Sequence, residues 1–212
     1  MPKILTPVDV LQFRQRLCDL ALKAFAEHGV DGMSLRGLAA AAGCSRTTPY
    51  RYFKNKADIL AAVREEEFKR IADESEMVAE RTTDPSARLV ELAKTYINFA
   101  LSRPDAYRVM FSVSQQDEQQ YPELVKQIKR SQAPMLSAAR EAIEQGHIHG
   151  DALNVVHVLW AGLHGMITLH LSDKLHMGRE IKELAEVMIR SLSRAVATSP
   201  AGEPAAARIL ET

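Results

Sequence analysis

The chain has 212 residues, 27 Lys and Arg against 27 Asp and Glu, 46% apolar side chains, two Cys and one Trp. This composition excludes a disordered, collagen-like or disulfide-scaffold protein, and at this length roughly 70% of the unfolded chain's surface is buried on folding without any metal or disulfide staple. The zero net charge hides an asymmetry: residues 1–56 hold nine Lys/Arg and four Asp/Glu, while residues 57–212 hold eighteen and twenty-three, so a basic end fit to meet a polyanion precedes an acidic body.

Apolar residues recur at three-to-four spacing throughout, with no persistent alternation of the strand kind, which predicts an all-α fold of about nine helices. A first helix is expected from about Pro7 to His28, with Phe13, Leu17, Leu20, Ala21, Ala24 and Phe25 on one stripe and Gly29 as its exit. Ser34 can cap a short second helix whose narrow apolar face is Leu35, Leu38, Ala39 and Ala42, ending at Gly43. Ser45 can cap a third helix running through Phe53. Lys54-Asn55-Lys56 then leads into a long fourth helix, to about Glu80, with Ile59, Leu60, Val63 and Ile71 on its apolar side.

The block from Ser34 to Phe53 reads as a helix-turn-helix. Gly43 supplies the left-handed backbone of a tight turn, and Ala39 is small enough for crossed helices to approach. On the third helix Pro49, Tyr52 and Phe53 are expected to face inward toward Leu35 and Leu38, while Arg46, Thr47, Tyr50 and Arg51 share the outer face. Such a face suits a major groove, because Arg can donate a bidentate pair to guanine, Thr can touch a base edge, and Tyr and Lys can hydrogen-bond phosphates. Helix N-termini at Ser34 and Lys56 add amide donors.

The segment MSLRGLAAAAGCSRTTPYRYFKNKADIL resembles the DNA-binding motif of the TetR family of transcriptional regulators. Ser34 and Arg36 fall on the family's Thr-x-Arg start, Ala39 and Gly43 on its Ala and Gly, and Tyr50, Phe53, Lys54 and Lys56 on its Tyr-x-x-Phe-Lys-x-Lys end; Arg14, Phe25 and Gly29 fit its first helix. The resemblance implies base contact by Arg46, Thr47 and Arg51, and phosphate contact by Ser34, Arg36, Thr48, Tyr50, Tyr52 and Lys56. Two positions depart from the family pattern: Pro49 replaces a usual Leu or Ile, and Cys44 a usual Val. Pro49 is expected to give a local 3₁₀ start rather than a broken helix, and Cys44 to act as a small core residue. Cys18 and Cys44 form neither a redox pair nor a zinc spacing.

Downstream, residues 84–111 read as a wide-faced helix, a break at Pro104 and a short helix bearing Tyr107, Met110 and Phe111. Another helix runs from about Tyr121 to Gln145. Asp151 then caps a nearly all-apolar helix through Leu171, and a last amphipathic helix spans about Gly178 to Val196. A helix apolar on every side needs cover on every side, so the last two helices are expected to form a homodimer interface. Trp160, His164 and Gly165 resemble the Trp and His-Gly signature of one TetR C-terminal subclass. Tyr96, Phe99, Met110, Phe111, Met135, Trp160, His164 and Met166 could line the effector cavity that the resemblance implies, or equally be plain core.

Six of seven histidines fall between His147 and His176. His157, His164, His170 and His176 lack i,i+4 spacing, and no Cys or paired carboxylate completes a tetrahedral set, so no metal or other cofactor is expected. His147-x-His149-x-Asp151 resembles part of the metallo-hydrolase pattern H-x-H-x-D-H, the basis of a rival reading as a metal-dependent hydrolase; Ala152 replaces its last His, and no strand precedes it. No other catalytic signature appears, and the chain is expected not to be an enzyme.

The resulting expectation is a DNA-binding head (1–56), a helical regulatory and dimerisation body (57–197) and a frayed tail (198–212). No apolar run reaches the ~18–20 residues of a spanning helix, and Met1-Pro2-Lys3 leads into no signal-peptide core, so a cytoplasmic chain with no membrane partner is expected. Its partners would be a double-stranded operator, a second copy and a small-molecule effector.

Overall fold

The computed structural model describes residues 6–111, 118–175, 178 and 180–197; the expected tail and His176 lie outside them. The described residues form eight α-helices and one 3₁₀ turn, with no strand among them. The helices are α1 (Pro7–Gly32), α2 (Leu35–Ala41), α3 (Lys56–Arg81), α4 (Pro85–Ser102), α5 (Pro104–Met110), α6 (Pro122–Glu144), α7 (Ala152–Leu171) and α8 (Ile181–Ala197).

Local chemistry sets most boundaries. Thr6 and Asp9 close a capping box on α1, Asp84 accepts from the Ala87 amide before Pro85 of α4, and Asp151 accepts from the Asn154 amide at the start of α7. Gly29, at φ 69°, bends α1 where the sequence placed its exit, but helical turns resume to Gly32. After α2, Gly43 adopts φ 66° and a Schellman pair forms: the Gly43 amide donates to Ala40 O at 3.1 Å and the Cys44 amide to Ala39 O at 3.0 Å.

The third helix expected from Ser45 to Phe53 is replaced by turns around a 3₁₀ turn, Pro49–Arg51. Pro49 has no amide hydrogen, and its ring crowds the carbonyl four residues back. The bonds contract accordingly: the amides of Thr48, Arg51 and Tyr52 donate three residues back, to Ser45, Thr48 and Pro49, each at 3.0 Å. Only the Phe53 amide reaches back four residues, to Pro49 O.

Packing divides the chain into two units, Met1–Glu74 with Phe99–Ser131 and Ser75–Asn98 with Gln132–Thr212. In the first, Leu17, Ala21, Phe25, Leu35, Leu38, Phe53, Ile59, Leu60 and Val63 are buried in one cluster, and a second cluster holds Ala61, Phe68, Ile71, Phe99, Met110, Leu124 and Ile128. α3 gives residues to both clusters, Ile59, Leu60 and Val63 to the one and Ala61, Phe68 and Ile71 to the other. The unit also contains a buried ion pair, Arg64–Glu118, in which the Arg64 Nε donates to Met110 O at 2.7 Å. In the other unit Leu89, Leu92, Ala138, Ala139, Ala142, Ile148, Val155 and Leu159 form the core. There the Arg88 Nη1 donates to both carboxylate oxygens of Glu141 at 2.9 Å, while its Nε and Nη2 donate to Thr82 O and Thr83 O, fixing the α3–α4 loop.

Among the described residues α7 is the one helix long and apolar enough to cross a bilayer by length and composition, with a mean hydropathy of 1.4. The sequence shows no uninterrupted run because Asn154, His157, His164, Thr168 and His170 punctuate it. Leu153, Val158, Trp160 and Leu169 of α7 and Val187 of α8 are exposed.

Candidate nucleic-acid interface

The candidate interface is built on α2, the Gly43 turn and the 3₁₀ segment. Ser34 caps α2, its hydroxyl accepting from the Gly37 amide at 3.1 Å, and Arg36 is exposed one residue into the helix. Pro49 and Phe53 are buried in the unit's interior, as expected of the inward face. Arg46, Thr47, Tyr50 and Arg51 are all exposed, Tyr50 to 57%. Thus the four outer-face residues remain accessible together although the segment carrying them is no regular helix.

Ser45, expected as a helix cap, instead holds a hydroxyl chain, bonding the Thr47 hydroxyl at 3.0 Å and the Thr48 hydroxyl at 2.8 Å. Thr48 is half-buried. Tyr52 is also half-buried, its ring against Phe13 at 5.4 Å between centroids. Lys56 is half-buried beside Asp31, with Nζ 3.7 Å from the carboxylate and 3.5 Å from the Asp31 carbonyl. Asn55 caps α3 through the Asp58 amide, and Asp58 in turn accepts from the Lys54 amide, so the lysines at this helix start sit on a fixed backbone. Two contacts escaped the sequence reading: the tilted Phe13–Tyr52 ring contact and the Arg14 guanidinium over the Phe53 ring, 5.3 Å from its centroid. Phe13 was legible only as part of the apolar stripe.

The candidate effector-lining residues are divided between the two units. Phe99 and Met110 are buried in the first, where Phe111 packs edge-on to Phe68 at 6.2 Å. Tyr96, Met135, Trp160, His164 and Met166 belong to the second. Within it the Trp160 indole donates to the Tyr96 hydroxyl at 3.1 Å, that hydroxyl lies 3.5 Å from His164 Nδ1, and the Trp160 and His164 rings stand 5.5 Å apart. Burial holds the His164 imidazole below its ordinary range. Met135 packs at the edge of the core cluster and Met166 is fully covered.

Among the described residues no three His, Cys, Asp or Glu side chains form a metal-binding group. His147 bonds the Ser86 hydroxyl at 3.1 Å, His157 Nδ1 lies 2.7 Å from Leu153 O in its own helix, and Asp151 is engaged as the α7 cap. The partial H-x-H-x-D pattern is therefore a helix–helix connection.

Two family models match the chain: bacterial regulatory proteins of the tetR family over residues 17–63, and the tetracyclin repressor-like C-terminal domain over residues 89–192. A transcriptional regulator of the helix-turn-helix type from Shigella flexneri, AcrR, is 34% identical over 88 residues, 41% of this chain and 41% of that protein. The chain thus spans about two fifths of the length of such curated relatives. Among solved structures, a protein of unknown function from Rhodococcus sp. RHA1 has a TM-score of 0.73 at 28% identity, over 88% of this chain and 96% of that one. FadR from Bacillus subtilis, solved with stearoyl-CoA, has a TM-score of 0.72 at 18% identity over 84% and 97%, a likeness of fold. With matched models at both ends, an all-helical fold and an accessible helix-turn-helix face, the chain belongs to the TetR family of bacterial transcriptional regulators.

Proposed function

We propose that the protein is a cytoplasmic, homodimeric repressor that acts by binding a pseudo-palindromic operator, its head (residues 1–56) reading DNA and its body (57–197) dimerising and sensing an effector. The observation that carries the reading is the joint exposure of Arg46, Thr47, Tyr50 and Arg51 on a segment anchored by the buried Pro49 and Phe53. Arg46, Thr47 and Arg51 contact bases; Ser34, Arg36, Thr48, Tyr50, Tyr52 and Lys56 contact phosphates. Two-fold symmetry places half-sites ~10–10.5 bp apart or at a multiple of that. Selection of bound duplexes from a random pool tests this: a two-fold-symmetric consensus is expected, and recovery of unenriched sequences by the wild-type protein would sink it. Arg46→Ala should relax base preference at one position, costing about 1–3 kcal/mol there, while Lys56→Ala should weaken all sequences equally and lower the salt slope by about 1.

The second copy is supported by the exposed Leu153, Val158, Leu169 and Val187 on α7 and α8, apolar side chains whose contact with water is costly. A small molecule with an apolar body fits the effector role, with Tyr96, Trp160 and His164 as the polar groups that orient it. Its binding would favour a head separation unsuited to consecutive grooves, transmitted through α3. Linkage then requires operator to lower effector affinity by the same factor, so equal effector affinity with and without operator would remove the mechanism.

A further inference from the structure

We propose that Phe13 and Arg14 of α1 are positioning residues for the base-reading segment, supplying by contact the support that the helical hydrogen bond lost at Pro49 would have given. This rests on the operator-binding function proposed for the head. A regular recognition helix is held in shape by its own hydrogen bonds. Here the amides of Thr48, Arg51 and Tyr52 make three-residue bonds and the Phe53 amide makes a four-residue one. A single such turn has little stability of its own, so its pose must come from tertiary contacts. Two neighbouring side chains of one helix grip two neighbouring residues at its end: the Phe13 ring packs tilted against Tyr52 at 5.4 Å and 45°, and Arg14 lies over Phe53 at 5.3 Å. At the other end the Ser45 hydroxyl ties Thr47 to Thr48. Phe13 and Arg14 are themselves only half-buried, outside the fully buried interior of the unit, so trimming them loosens the grip without emptying the core.

Base readout tolerates displacements of only about 0.5 Å, whereas attraction to phosphates is long-ranged and forgiving. Loss of the clasp should therefore lower specific binding far more than non-specific binding. The test compares Phe13→Leu and Arg14→Gln, with Phe13→Tyr and Arg14→Lys as conservative rescues, each in the wild-type and the Pro49→Ala background. Operator affinity should fall by up to about tenfold for Phe13→Leu, the scale of a lost aromatic pair. Affinity for unrelated duplex and its salt slope should stay within about twofold. In the Pro49→Ala background, where an amide donor is restored and the segment can wind as a helix, the loss should shrink. Amide exchange at Arg51, Tyr52 and Phe53 in the free protein should quicken in Phe13→Leu while exchange in α2 does not. Equal losses on operator and unrelated DNA, or the same loss in both backgrounds, would overturn the clasp. Should wild type show no sequence preference while the exchange pattern appears as stated, the operator reading fails and the mechanical coupling stands; unchanged exchange removes the coupling itself.

Discussion

The Arg64–Glu118 pair offers a sharp test of how the first unit is held together. Arg64 is 2% exposed and Glu118 5%, and the guanidinium is further occupied by Met110 O and by the Phe68 ring, 5.8 Å from its centroid. Changing Glu118 to Leu strands a cation where water cannot reach it. Breaking a buried pair from one side costs about 3–5 kcal/mol, whereas replacing both partners by apolar residues is often neutral or stabilising. Glu118→Leu alone should therefore lower stability by that amount, equivalent to a drop in Tm of roughly 6–20 °C at about 2–4 °C per kcal/mol for a chain of this size. Arg64→Met combined with Glu118→Leu should recover most of the loss, although the Met110 carbonyl then gives up a charged donor worth roughly 1.5–3 kcal/mol. Urea unfolding followed by circular dichroism at 222 nm, on Glu118→Leu, Arg64→Met and the double variant, gives the coupling energy directly. Strictly additive losses, or a Glu118→Leu variant within about 0.5 kcal/mol of wild type, the range of an ordinary surface substitution, would refute the reasoning.

Three further outcomes follow from local geometry. Gly43→Ala meets no atom within 4 Å, so its cost is the backbone's alone, about 1–2 kcal/mol for a side chain held at φ 66°; a loss above about 4 kcal/mol in the same urea assay would mean the site is crowded after all. Burial pushes the Cys18 thiol from 9.0 up to about 11, so the folded protein keeps a proton that the unfolded chain releases, and stability should be full below pH 9 and decline from pH 9 to 11. Cys18→Val, close in volume, should flatten that decline; an identical alkaline slope would exclude the thiol as its source. Val158→Glu on α7 should convert the dimer to monomer in sedimentation-velocity runs while leaving the head's affinity for a single half-site intact, and a wild-type protein that sediments as a monomer but floats with liposomes would instead mark α7 as a membrane-binding helix.

The helices were legible in the sequence where one chemical signal acted within one turn. Ser34 and Asp151 are caps the sequence announces, and Gly43 and Gly146 mark exits where φ turns positive, whereas the Thr6–Asp9 box and the Asp84 cap went unread. Gly29 shows the limit of the rule, since α1 bends there and then goes on, with Val30 and Met33 packing on its core. The third helix failed for a reason the sequence already contained. Pro49 is the fifth residue from Ser45, and at that depth it removes a bond that a helix needs, rather than one it can spare.

The candidate site was legible as a list of residues but not as a mechanism of support. Exposure of Arg46, Thr47, Tyr50 and Arg51 follows from periodicity, because Pro49 and Phe53 on the other side are apolar. Tyr52 on Phe13 and Arg14 on Phe53 join residues about forty positions apart, and no short-range pattern encodes such a pairing. The same holds for Trp160 and Tyr96, joined by a hydrogen bond across 64 positions, and for Arg64 and Glu118 across 54. Polar residues at helical spacing announce that something must satisfy them; only the fold says what.

Hydroxyl-radical footprinting of the wild-type protein on a duplex recovered from the random pool, at low and at physiological salt, tests the central claim most directly. Two protected tracts related by a two-fold axis and centred ~10–10.5 bp or a multiple apart are expected, fading as salt rises and collapsing to unspecific cover in an Arg46→Ala, Arg51→Ala double variant. No protected tract at low salt, or protection left unchanged in the double variant, would contradict the account.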